Sequence, residues 1–140
     1  MSDLHRFVYA QDGVFERALA ELAAGRKRSH WMWFVFPQVA GLGSSHTAQT
    51  YAIRDLAEAR DYLAHPVLGP RLVECAETLL GVEGRTAAQI FGSPDDLKLR
   101  SSMTLFAEAA DDPAVFRQVL ERYYDGPDER TREILGVSGP

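Results

Sequence analysis

GRKRSHWMWFVFPQ, residues 25–38, decides the fold class, because within it Trp31 to Phe36 is the one run whose composition allows a buried β-strand. Its length and residue types permit that conformation. A lone strand, however, leaves its backbone N–H and C=O groups without a partner, and no second run offers to pair with it. Read as a helix, the same residues put Trp31, Phe34 and Val35 on one side and leave Trp33 and His30 about a hundred degrees away. We take the segment as helix, ended by Pro37.

Outward from this run the punctuation is helical too. Asp3 is a candidate N-cap ahead of Leu4, Phe7 and Val8. A second helix reads from about Val14, with Phe15, Ala18, Leu19 and Leu22 on one face and Gly25 placed to terminate it. Thr50 to Ala64 reads as a third, with Ile53, Leu56, Ala57, Arg60 and Leu63 inward or nearly so, and His65-Pro66 ending it. Arg71 to Leu80 places Leu72, Cys75, Ala76 and Leu79 on one stripe, closed by Gly81. Thr86 caps a short turn ending at Phe91-Gly92. Ser93-Pro94-Asp95-Asp96 has a serine at the cap and acids behind it, the start of a helix through Met103, Leu105 and Phe106. Asp112-Pro113 repeats the device before Val115, Phe116, Val119, Leu120 and Tyr123. Asp128 to Leu135 makes a last short helix stopped by Gly136. The pattern predicts one compact all-α domain over residues 1–140, a multihelical array of about six to eight helices. It contains no internal repeat, linker or low-complexity segment.

Composition bounds the function class. A chain of 140 residues buries roughly two-thirds of its unfolded surface, enough for a core without staples. No apolar stretch approaches the ~20 residues that span a bilayer. MSDLHRFVYAQ lacks the features of a secretory signal. Cys75 stands alone and forms no internal disulfide, which fits a reducing, cytoplasmic setting. A net charge of −5 argues against a nucleic-acid coater, which needs a broad basic surface.

That charge is unevenly spread. Between Leu22 and Arg54 there is no Asp or Glu, while Arg26, Lys27, Arg28 and Arg54 give +4; all 20 acids and 11 of the 15 Lys and Arg lie outside, at −9. Successive cations after a helix end complement its dipole, which is one account of them. In an extended turn two of them also converge on a single anion. Ser29 and His30 add donors, and Trp31 and Trp33 offer faces on which a ring stacks, though large aromatics serve equally as core. His30 and His46 titrate near neutrality when unperturbed. No HxxxH or CxxC spacing exists, so neither metal nor cofactor is expected. Cys75 lies on an apolar stripe and reads as structural, while His5 and His65 read as surface or cap residues. In FGSPDDLKLRSSMTLF, residues 91–106, Asp95 and Asp96 precede Lys98, Arg100, Ser101, Ser102 and Thr104. Hydroxyls inside a helix mark either close packing or a polar wall. Gly41-Leu42-Gly43-Ser44-Ser45 lacks the ending of a phosphate loop.

GRKRSHWMWFVFPQ, then GLG-S-S with YAI, HPVLGPRL, and IFGSPDDLKLRSSMTLF together resemble the bacterial family catalogued as domain of unknown function 1810. The match runs from about Leu4 to Tyr124 in uninterrupted blocks. The resemblance implies a compact, monomeric, all-helical fold and no established activity, cofactor or substrate. Some members bear the label calpastatin, which does not suit a chain 46% hydrophobic and fully segmented.

Two functions are expected from these residues. In the first, Arg26, Arg28, Gln38, Lys98 and Ser102 hold a phosphate-bearing metabolite such as a nucleotide or ADP-ribose-like compound. Trp33 stacks on its ring, and His30, Asp95 or Asp96 is the acid or base if turnover occurs. The two dense segments then converge on one pocket, unless they merely neutralise each other internally, as Arg28 with Asp96. In the second, the aromatic-basic surface docks an acidic protein partner.

Overall fold

Apolar stripes at helical spacing, separated by caps, fold into ten α-helices in the computed structural model, which describes residues 3–137. In chain order these are α1 (His5–Gln11), α2 (Phe15–Ala23), α3 (Met32–Val35), α4 (His46–Thr50), α5 (Leu56–Ala64), α6 (Leu68–Leu80), α7 (Ala87–Phe91), α8 (Asp95–Ala109), α9 (Ala114–Tyr123) and α10 (Glu129–Leu135). The fold class is all-α, and the deciding run is helical at Met32–Val35. Among the described residues there is no strand, only an isolated parallel bridge between Val39 and Ile53. There Ile53 N–H donates to Gln38 O and Ala40 N–H to Ile53 O, both at 2.8 Å.

Ten helices replace the six to eight expected, and local capping explains the excess. The Asp55 side chain accepts the Glu58 N–H at 2.9 Å, so α5 starts at Leu56 rather than Thr50. Residues 46–50 form a separate turn of helix capped by Ser45, and Ile53 is buried in the bridge instead of on a helix face. Further along, His65 Nδ1 accepts from the N–H groups of Val67 and Leu68, which starts α6 at Leu68 instead of Arg71. Two expected caps also move. Leu4, not Asp3, holds the cap position of α1, although Asp3 Oδ1 still accepts the His5 N–H at 3.1 Å. Pro94, not Ser93, holds that of α8, after a cis Ser93–Pro94 bond, and no side chain caps it.

Helix α8 is the axis. It packs against α5, α7, α9 and α10, while α6 packs on α2, α5 and α9, and α1 on α3. Enclosure on so many sides explains why Leu99, Ser101 through Phe106 and Ala109 are all buried on one helix. Its hydroxyls serve packing. Thr104 Oγ1 donates to Arg100 O and accepts the Asp128 N–H, both at 2.8 Å. Asp128 Oδ2 in turn accepts from Thr131 N–H, Thr131 Oγ1–H and Ser101 Oγ–H, so α10 is docked onto α8 through hydroxyl groups. The tight α5–α6 corner requires Gly69, where a Cβ would sit 2.1 Å from Leu63 O. Cys75 is fully buried, and burial pushes its thiol up to about 12, so it is a core residue without thiolate character.

Candidate basic docking strip

The strip begins where α2 stops. Gly25 takes φ +73, its N–H donates to Leu22 O at 2.9 Å, and the Arg26 N–H reaches Glu21 O at 3.0 Å. This paired closure needs a left-handed residue after the helix, which glycine supplies without strain. The reversal lays residues 26–31 back over the Glu21 side chain.

Glu21 then holds that segment in place. Its Oε1 accepts from Arg28 N–H (2.8 Å), Ser29 N–H (3.0 Å) and the Trp31 indole N–H (2.9 Å), and its Oε2 from the Ser29 hydroxyl (2.6 Å). Burial alone would raise its pKa. The hydrogen bonds from Ser29, Arg28 and Trp31 outweigh burial and lower it from 4.5 to about 2. The Lys27 N–H donates to Ile90 O at 2.7 Å, and the Arg85 guanidinium donates to Gly25 O at 2.8 Å.

Exposure along the segment alternates residue by residue. Arg26, Arg28 and His30 are exposed, Lys27 and Ser29 are half-buried, and Trp31 is wholly buried. Lys27 turns inward: its Nζ donates to Ser29 O at 2.6 Å, pairs with Asp95 Oδ2 at 3.0 Å and lies 5.1 Å from the Trp31 ring centre. The other Asp95 oxygen takes Lys98 Nζ at 3.1 Å, and that ammonium sits 4.1 Å over the Trp33 ring. The two dense sequence segments therefore meet. They meet through Lys27 and Asp95, and the expected Arg28–Asp96 pair is absent among the described residues.

The remaining candidates fall in different surroundings. Asp96 is half-buried, its Oδ1 has no hydrogen-bond partner, and its carbonyl accepts from the Tyr124 hydroxyl. Ser102 is wholly buried with an unpartnered hydroxyl, so solvent does not reach it. Gln38 uses its backbone carbonyl in the Val39–Ile53 bridge. Of the tryptophans, Trp31 belongs to the core, and Trp33 is half-buried with one face already covered by Lys98. Four cavities of the molecule are lined by residues outside 25–38. Among the described residues no acid lies within ion-pair distance of Arg26, Arg28 or His30, and their side chains make no hydrogen bond. No group of three or more metal-ligating side chains occurs among the described residues, and no helix there is long and apolar enough to cross a membrane.

The family model described as protein of unknown function, DUF1810, matches residues 1–135. The chain belongs to that family. The match extends past both ends of the blocks quoted above. The crystal structure of the conserved hypothetical protein Rv1873 from Mycobacterium tuberculosis is similar, with 56% identity and a TM-score of 0.94 over 97% of this chain and 98% of that one. No curated protein matches the chain.

Glu21 is the residue that sequence reading missed. It sits one position outside the acid-free window, in the last turn of α2, where a carboxylate is disfavoured by the helix dipole. An acid in that position without a basic neighbour in the same turn was the available signal. Lys27 was passed over because three successive cations look alike until the backbone direction sorts them.

Proposed function

We propose that this protein is a recognition module that docks an acidic segment of a partner protein on the outward strip of Arg26, Arg28 and His30. One observation supports it most: three cationic or ionisable side chains share the outward side of a segment whose inward side is fixed by Glu21, Ile90 and Asp95. A backbone already ordered lowers the entropy lost on association. Guanidiniums without an internal acid keep their full donor sets for a carboxylate, which they engage in a planar fork.

A phosphate-bearing metabolite would use the same cations, but it favours a concave, enclosing site, and Arg26, Arg28 and His30 are all exposed. Hydrolysis draws little support. Both Asp95 oxygens are engaged by ammonium groups, and His30 has no carboxylate to orient it. Fluorescence anisotropy with labelled Asp/Glu-rich peptides tests the reading, with ATP and ADP-ribose titrated separately by thermal shift. Expected is saturable peptide binding that weakens as salt rises and drops more than about tenfold in Arg26→Ala/Arg28→Ala. Stabilisation by a nucleotide of about 2.7 kcal/mol at a hundred times its Kd, with no peptide binding, would replace this reading by the metabolite one.

A further inference from the structure

On the far part of α8 lies a second, unrelated feature. A cavity of about 480 Å³ opens between α8, α9 and α10, within the size range of small-molecule sites. Ala107, Leu120 and Tyr124 give it an apolar wall. The Tyr124 hydroxyl is already committed to the Asp96 carbonyl, so the residue can present only its ring.

Arg132 is unusual among the half-buried arginines. Arg6, Arg71 and Arg100 each donate side-chain hydrogen bonds to acceptors in the fold. Arg132 does not, although its side chain is only 18% exposed. Its Nε is buried without a hydrogen-bond partner. It forms only long ion pairs, from Nε to Glu108 at 3.7 Å and from Nη1 to Glu129 at 3.9 Å, both beyond hydrogen-bond distance. Arg117 and Glu121 also line the cavity, one helical turn apart, yet neither pairs with the other or with any described side chain. A buried guanidinium N–H without a hydrogen-bond acceptor is a cost that a ligand acceptor removes. Two guanidiniums and three carboxylates line the space, and Asp125, one of the three, is already paired with Arg100 at 2.9 Å. The other four charges sum to zero, which disfavours a simple anion or a simple cation.

We propose that this cavity binds a zwitterionic α-amino acid or dipeptide with an apolar side chain. The carboxylate lies on the guanidiniums of Arg132 and Arg117, the ammonium lies on Glu108 and Glu121, and the side chain rests against Leu120 and the Tyr124 ring. Such a ligand gives Arg117 and Glu121 opposite charges, closes a hydrogen bond on the Arg132 Nε–H, and covers the apolar wall. The site is separate from the strip at Arg26 and Arg28, and its failure or success leaves that reading untouched.

Isothermal titration calorimetry with phenylalanine and leucyl-phenylalanine tests it. 3-Phenylpropionate, which lacks the ammonium, and phenethylamine, which lacks the carboxylate, serve as comparators. Expected is saturable binding of a zwitterion, at least about tenfold tighter than of either comparator. Arg117→Gln and Glu121→Gln, both at exposed positions, should each weaken binding by about tenfold with an unchanged melting temperature. Ala107→Phe, which fills the cavity, should abolish it while the circular dichroism spectrum stays helical. Absence of saturable binding by both zwitterions up to about 10 mM, or comparators that bind within about threefold of phenylalanine, would overturn the proposal.

Discussion

The basic strip and the α8–α9–α10 cavity each hold two arginines, yet they dispose of charge in opposite ways. At the strip, the acid that the fold supplies is given to the backbone: Glu21 uses its acceptors on two N–H groups, a hydroxyl and an indole, and none on a guanidinium. Arg26 and Arg28 are left outward and unpaired. At the cavity, Glu108 and Glu129 form ion pairs with Arg132 without closing hydrogen bonds on it. The difference is one of shape as much as charge. A projecting row of free cations on a fixed backbone suits a macromolecular partner, whereas charges of both signs around an apolar hollow suit a small zwitterion.

Breaking the fixed side of the strip should have the largest effect. Trp31→Ala removes a wholly buried indole and is expected to cost about 3–5 kcal/mol in urea unfolding. A loss under about 1 kcal/mol would show that Trp31 does not anchor the segment. Glu21→Gln should cost about 1–3 kcal/mol, because one amide cannot serve the same four donors. Here pH sharpens the comparison. The folded pKa of Glu21, about 2, lies below its unfolded value of 4.5. Its contribution is therefore fully present above pH 4.5 and is lost as pH falls toward 2. The difference between wild-type and Glu21→Gln stability should shrink across that window and stay flat above it. A difference independent of pH would contradict the hydrogen-bond account.

Smaller effects come next. Lys98→Met removes an ammonium from Asp95 and from the Trp33 face at a partly exposed site, for an expected cost of about 0.5–1 kcal/mol. Its emission spectrum should also change, since the Trp33 ring loses a cation. Smallest is the effect of Arg26→Ala/Arg28→Ala on stability, within about 0.5 kcal/mol, because no described residue pairs with those guanidiniums.

These differences also mark what the amino-acid order reveals. Helices α2, α6 and α9 were legible because each buries a stripe long enough to show its period, as Leu72, Cys75, Ala76 and Leu79 do on α6, whereas α8, buried on several sides, was marked by the proline and acids at its start. The short helices were not, since one turn of residues 46–50 carries no stripe and is defined by the Ser45 cap alone. At the site, the meeting of residues 25–38 with 91–106 was foreseen, and its chemistry was not. Lys27 turns inward and Arg28 outward because Gly25 reverses the chain and Glu21 fixes the register, neither of which a list of three cations displays. The sequence pattern places Ser102 toward a ligand. Burial of α8 by its neighbours, a property of the tertiary fold, places it inside instead. The cavity pairs α8 with α9 and α10, whose convergence depends on Asp128 reaching Ser101 and Thr104 across more than twenty residues of chain.

Charge reversal at the strip tests the central claim most directly. Arg26→Glu/Arg28→Glu should leave the melting temperature within about 2 °C of wild type and abolish anisotropy change with the acidic peptide. The claim would be contradicted by peptide binding that survives the reversal, or by a fall of several degrees showing that these arginines hold the fold together.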